Sequence, residues 1–182
     1  MARRATNVSR ARILDVALTL FAMRGYALTS LRDIAATLDV TKAALYFYFP
    51  AKAQLLDSLA APLLDGVQTL LDASTDGPLT APARRELVGA LTDLLLAHRP
   101  VVAWLTRDLS ALAQPEIGAR VEANTERLQW LLAGSDQSVA GQVRAAAAVG
   151  ALTRPVAVLD ELDLSALRDT LLAAALSALG GE

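Results

Sequence analysis

The sequence predicts an all-α fold, and three observations carry that expectation. Alanine and leucine dominate a chain that is 54% hydrophobic but only 4% aromatic, a composition rich in helix formers and poor in strand formers. In its most patterned stretch, Leu31, Ile34, Ala35 and Leu38 recur at the i, i+3, i+4, i+7 spacing of one helical face. The borders of such segments carry Ser, Thr, Asp, Gly or Pro, which cap or stop helices. At 182 residues the chain is long enough to bury a substantial core.

Residues 29–52 form the most informative segment. Ser30 is placed to N-cap a helix burying Leu31, Ile34, Ala35 and Leu38. Asp39 turns the chain, because a small polar side chain tolerates the left-handed conformation that ends a helix, and Val40 gives the turn an apolar anchor. Thr41 caps a second helix of about two turns, from Lys42 to Phe49, and Pro50 stops it. Two helices split by so short a turn must cross steeply, as in a DNA-reading helix-turn-helix.

On the second helix Leu45 and Phe49 face the core, whereas Lys42, Ala43 and Tyr46 occupy the outer, N-terminal face. A recognition helix puts such residues against base edges in the major groove. Ala43 and Ala44 permit close approach, and Lys42 suits guanine. Tyr46 and Tyr48 carry hydroxyls for phosphate oxygens, and Lys52 adds a cation in the first turn of the next helix. The aromatic run from Tyr46 to Phe49 cannot all face inward.

This stretch resembles the N-terminal domain of the TetR (tetracycline-repressor-like) family of bacterial transcription regulators. The resemblance covers roughly residues 9–56. It starts with Arg10 to Tyr26, similar to the family's first helix, its closing glycine and the aromatic after it. Thr29-Ser30-Leu31-Arg32-Asp33-Ile34-Ala35, Val40-Thr41-Lys42 and Leu45-Tyr46-Phe47-Tyr48-Phe49-Pro50-Ala51-Lys52 follow in order. The resemblance implies DNA contact by Arg32, Lys42, Ala43, Ala44, Tyr46, Phe47, Tyr48 and Lys52. It also implies a three-helix DNA-binding domain over 1–52 and a helical effector-binding and dimerisation domain over 53–182. Asp39 stands where the family more often has glycine, and Ala44 where it often has Ser or Thr.

Charge points the same way without any motif. Residues 1–52 hold eight Lys or Arg against three Asp or Glu, whereas residues 53–182 hold nine against sixteen, a split hidden by the whole-chain net of −2. A basic lobe on an acidic one suits a protein that presents one end to a polyanion. Arg3, Arg4, Arg10 and Arg12 form either a basic arm for phosphate or the minor groove, or an untethered tail.

Beyond the basic segment a long helix is expected from about Ala51 to Ala73, with Leu55, Leu56, Leu59, Leu63, Val67 and Leu70 inward and Asp76-Gly77-Pro78 as its stop. This helix joins both halves. Further helices are expected near 82–98, 101–113 and 116–133, then over 138–160, where Pro155 kinks or breaks the run, and over 164–179, capped by Asp163. The last two are so rich in alanine and leucine that they need a partner. Residues 145–148, Gly150 and 173–175 would let helices approach closely, and the family resemblance implies a homodimer built on this pair, and hence a palindromic double-stranded operator.

The resemblance also implies a small effector in the C-terminal domain. Polar or aromatic candidates there are His98, Trp104, Arg107, Asp108, Gln114, Asn124, Gln129 and Trp130. Trp104, Arg107 and Asp108 share a face, read either as a ligand set or as an exposed ion pair beside a core tryptophan; His98 reads as a helix-end cap. The aliphatic surroundings favour a hydrophobic effector. The alternative is a regulator without small-molecule control, governed by a partner protein or by its concentration. One histidine and no cysteine exclude a Cys–His pair or a multi-histidine metal site. Neither an enzyme nor a cofactor is expected, and carboxylate pairs such as Asp160 and Glu161 read as solvated. No charge-free apolar run approaches the roughly 18 residues of a membrane span, and a cytoplasmic location is expected.

Overall fold

A computed structural model of the chain describes residues 8–74, 77–159 and 164–180. Arg3, Arg4, Asp76, the pair Asp160 and Glu161, and the expected cap Asp163 lie outside the described residues. Those described form helices joined by short connections: α1 (Arg10–Arg24), α2 (Leu31–Thr37), α3 (Lys42–Tyr48), α4 (Lys52–Asp72), α5 (Ala81–Ala97), α6 (Arg99–Arg107), α7 (Leu109–Leu112), α8 (Pro115–Ala133), α9 (Val139–Val158) and α10 (Leu164–Ala178). The all-α expectation holds.

Local chemistry explains most of the helix starts. Ser9, Ser30, Thr41, Thr80 and Ser138 each accept a backbone N–H of the first turn through the side-chain hydroxyl, relieving one of the donors that a helix leaves unpaired. At Ser30 the cap is reciprocal, since Asp33 accepts the Ser30 N–H at 2.8 Å. Those bonds from Ser30 hold the Asp33 carboxyl below the usual carboxylate range. Gly25 ends α1 at φ +86°, and Asp39 occupies the left-handed region at φ +52°. The tight turn between α2 and α3 therefore has the conformation that its sequence implies.

α1, α2, α3 and the start of α4 share a core of Ile13, Ala17, Phe21, Ile34, Leu45 and Phe49. α3 ends at Tyr48, one residue before the expected end, and Phe49 is extended, because Pro50 disfavours the helical region for the residue before it. α4 then runs for 21 residues into the second half of the molecule and packs on α5 and α8. It buries Leu55, Leu56, Leu59, Leu63, Leu64 and Leu71, while Val67 and Leu70 are half-buried.

One expectation for the second half needs correction, and one open alternative is decided. The helix expected over 101–113 is two helices, with a break at Asp108, whose side chain accepts the Ser110 and Ala111 N–H groups and so starts a new turn. Pro155 does not break its helix: α9 continues through it to Val158. Pro155 sits in the last turn, where little ladder remains to lose, and Arg99 and Arg107 of α6 donate to the carbonyls of Val156, Leu159 and Ala157 there. α5 and α6 meet at 87° around His98, which ends one helix and precedes the other without a side-chain capping bond to α6. Among the described residues no single helix is long and apolar enough to cross a membrane.

α9 and α10 pack against each other and against α5. Of the small residues expected to allow close approach, Ala145, Ala148 and Ala175 are buried inside this chain, whereas Ala146, Ala147, Gly150, Ala173 and Ala174 are exposed. Val139 and Val143 are also exposed, so α9 carries one apolar stripe inward and a second outward.

Candidate nucleic-acid interface and the cavities behind it

α3 is held from below and open above. Leu45 and Phe49 are fully buried, and Tyr48 packs half-buried against the core. Lys42, Ala43, Tyr46 and Phe47 are exposed, Phe47 at 82%. Such an exposed phenylalanine is costly in water and has no partner in its own core. The Lys42 ammonium lies 5.1 Å from the Tyr46 ring centroid, and the Phe47 and Tyr48 rings meet edge-to-face at 5.3 Å. Arg32 is exposed on α2, and Ala44 is half-buried. Of the candidate arm residues within the described range, Arg12 is exposed; Arg10 is tied to the protein, donating to the Ser58 hydroxyl at 2.8 Å and lying over the Phe49 ring.

The geometry of α2, the turn and α3 is that of a helix-turn-helix, and a family model described as bacterial regulatory proteins, tetR family, matches residues 13–59. The chain belongs to the TetR family. It is 35% identical over 97 residues to the uncharacterized HTH-type transcriptional regulator YuxN of Bacillus subtilis, a match covering 53% of this chain and 33% of that protein. It is 30% identical over 126 residues to the HTH-type transcriptional repressor LfrR of Mycolicibacterium smegmatis, covering 68% of this chain and 63% of the other. The chain spans between 28% and 63% of the length of the curated relatives it matches. A solved TetR-like transcriptional regulator from Rhodococcus sp. RHA1 superimposes with a TM-score of 0.65 at 28% identity, covering 97% of this chain and 100% of that one.

In this TetR-family chain Lys52 is not the free cation the sequence suggested. Its ammonium donates to the Tyr26 carbonyl at 2.8 Å and the Thr29 carbonyl at 3.0 Å, and it stands 4.1 Å from the Tyr26 ring centroid. Burial pushes the Lys52 pKa down, with Asp108 opposing that shift. Two of its three N–H donors are thus committed to the connection between α1 and α2. Lys52→Met is expected to cost about 1–2 kcal/mol of stability, read as a lower denaturant midpoint.

Asp108 is the second tie between the halves. Its Oδ2 accepts the Tyr26 N–H at 2.5 Å and the Trp104 indole N–H at 2.9 Å, and its Oδ1 accepts from the Ser110 hydroxyl and from the Ser110 and Ala111 N–H groups. The Ser110 hydroxyl oxygen in turn accepts the Ala27 N–H at 3.0 Å. Burial raises the Asp108 pKa, but the bonds from Ser110, Tyr26, Trp104 and Ala111 outweigh it and hold the carboxyl below its usual range. Trp104 stacks on Phe21 of α1 at 5.4 Å, and Phe21 meets Tyr26 edge-to-face. The expected ion pair between Arg107 and Asp108 is absent among the described residues; Arg107 reaches the Ala157 carbonyl instead.

Two of the cavities among the described residues bear on the effector candidates. The first, about 320 Å³, opens among α4, α5, α6, α7, α8 and α9, with an aliphatic lining that includes Leu64, Val67, Leu95, Leu105, Leu128 and Val149. Its polar groups are Thr106, Asn124, Thr125 and Thr153. The three threonine hydroxyls donate to carbonyls one turn back, and Asn124 donates to the Leu64 carbonyl at 3.2 Å. The threonine hydrogens and one of the two Asn124 amide hydrogens are spent inside the protein, leaving mainly acceptor lone pairs. Of the eight effector candidates from the sequence, only Asn124 lines this cavity. Trp104, Arg107 and Asp108 line a second cavity, at the junction of α1 and α6. Trp130 lies on the surface under the Arg127 guanidinium, and His98 sits at the corner between α5 and α6. The lining of the first cavity is not legible in the sequence, because Leu, Val and Thr at helical spacing look like ordinary core; no residue type marks a hole.

Proposed function

We propose that this protein is a DNA-binding transcriptional repressor that grips a palindromic operator as a homodimer and releases it when a small, mainly hydrophobic effector enters the aliphatic cavity beside α4. The observation that carries the DNA reading is the partition of α3: Leu45 and Phe49 are spent on the core, while Lys42, Ala43, Tyr46 and Phe47 are left to solvent beside Arg32 in a basic segment. Lys42, Ala43 and Ala44 face base edges; Arg32, Tyr46, Phe47 and Tyr48 position the helix on the backbone. Lys52 contributes its remaining N–H at the start of α4, a helix whose N-terminus has no side-chain cap and so offers backbone N–H groups to a phosphate. These contacts fall on residues 1–52, and effector binding and dimerisation fall on 53–182.

The outward stripe of Val139, Val143, Ala146, Ala147 and Gly150 on α9, with Ala173 and Ala174 on α10, supports the dimer, because an alanyl and glycyl surface lets a second helix pair approach closely. Nothing lies within 4 Å of the position a Cβ would take at Gly150. Ala147→Arg on that stripe is expected to yield a folded monomer in sedimentation, with operator affinity reduced at least about tenfold because each head then binds alone.

α4 links the two events. It supplies Leu63, Leu64 and Val67 to the cavity wall and, through Lys52, holds the carbonyls between α1 and α2. An effector that displaces this helix changes the spacing of the two heads and mismatches half-sites about one helical turn apart. The cavity favours this reading over control by a partner protein or by concentration alone, and its few polar groups, mainly acceptors, suit an apolar molecule carrying at most a hydroxyl or amine donor. Selection of bound sequences from a random duplex pool tests the first half: a palindrome is expected, and an asymmetric site or no enrichment overturns it. A thermal-shift screen of apolar compounds tests the second, with one chemical class expected both to stabilise the protein and to release DNA.

A further inference from the structure

The large exposed hydrophobic residues sort into groups. Tyr46 and Phe47 belong to the reading face, and Val139, Val143, Val158 and Leu159 to α9. Met23, Leu28 and Leu109 have no such account, yet they are 74%, 81% and 77% exposed. Met23 and Leu28 flank Tyr26 and Ala27, and Leu109, far off in sequence, is brought to them where Asp108 and Ser110 bind the N–H groups of Tyr26 and Ala27. Beside them opens the second cavity, about 520 Å³, with Leu18, Phe21, Met23, Pro100 and Trp104 as apolar lining and Arg107 and Asp108 as its charged groups. Its volume is within the range of small-molecule sites.

Hydrogen-bond accounting selects the ligand's chemistry. Both Asp108 oxygens are already occupied, by five bonds in all, so the carboxylate offers no free acceptor and most of its charge is compensated locally. Arg107 is exposed and uses one N–H on the Ala157 carbonyl, out of the five a guanidinium carries. The cavity therefore offers an apolar wall and a cationic donor at its rim.

We infer that the junction cavity is a second small-molecule site, separate from the aliphatic one beside α4, that takes an amphipathic organic acid: an apolar ring or chain against Met23, Phe21 and Pro100, and its acid group on Arg107. The ligand bridges α1 and α6 directly, next to the bond between Asp108 and Tyr26. The inference does not depend on the repressor reading, because binding is measured without DNA.

The test uses 8-anilinonaphthalene-1-sulfonate and its neutral counterpart N-phenyl-1-naphthylamine as probes of the full chain. The Trp130→Phe background leaves Trp104 as the sole tryptophan of the two in the sequence, and its quenching reports occupancy. Saturable binding of the sulfonate with one-to-one stoichiometry is expected. Arg107→Gln should weaken it about ten- to a hundredfold, the range for losing one charged hydrogen bond, while leaving the neutral probe unchanged. Met23→Glu, at an exposed position that does not support the core, should weaken the sulfonate by repulsion and loss of apolar contact. Equal sulfonate affinity in both variants and the parent places the probe elsewhere and overturns the inference, as does the absence of saturable binding.

Discussion

Ala43→Glu is expected to abolish operator binding, by at least about a hundredfold at physiological salt, while changing folding stability by no more than about 0.5 kcal/mol. Ala43 is exposed on α3, and both Ala and Glu are good helix formers, so the fold has little reason to notice the change. In the groove the new carboxylate meets the field of the phosphates and fills the space a short side chain left open. Fluorescence anisotropy with a labelled duplex from the selected pool, paired with a melting curve, separates the two effects. Retained affinity would show that α3 does not enter the groove with this face. Lys42→Ala provides the contrast: a changed base preference at one position per half-site, with a much smaller loss of overall affinity.

Asp108→Ala should produce the largest loss of stability of any single change considered for this chain, about 2–3 kcal/mol, or roughly 5–10 °C in melting temperature for a protein of this size. It removes the cap of α7 and strands the Tyr26 N–H and the Trp104 indole N–H in a part-buried junction. Asp108→Asn separates charge from shape. The folded carboxyl titrates below its ordinary value, so its contribution is whole above about pH 4 and is lost as pH falls through the depressed folded value. The melting-temperature gap between the parent and Asp108→Asn should therefore be widest near neutral pH and shrink as the solution is acidified below about pH 4. A gap independent of pH would show that charge at Asp108 does not hold the junction.

Local chemistry made the head legible in advance. Ser30, Asp39, Thr41 and Pro50 each act on backbone within a few residues, and each has the expected effect: two caps, one left-handed turn at φ +52°, one stop. The inward face of α3 was legible too, since a four-residue spacing decides which side chains share a helix side. The sequence says least where a side chain's partner lies far along the chain. Nothing local to Lys52 shows that two of its N–H donors go to carbonyls 23 and 26 residues away. Asp108 looked like half of a surface ion pair with its neighbour. Its distant partner, the Tyr26 N–H, is 82 residues away, and the same carboxylate cuts an expected helix in two. Trp130 was a reasonable pocket candidate by residue type, but the fold leaves it on the surface.

The sequence by itself determined the helical class, the helix-turn-helix with its outward face, and the split between a basic head and an acidic body. These follow from propensity, capping, periodicity and charge, which act locally or sum over composition. Only the tertiary structure decided where the two cavities lie, which of the small residues of α9 and α10 remain outside, and how the head is fastened to the body through Lys52, Tyr26, Trp104 and Asp108. Cavities and clasps are properties of the space between elements, and that space exists only after distant helices have packed.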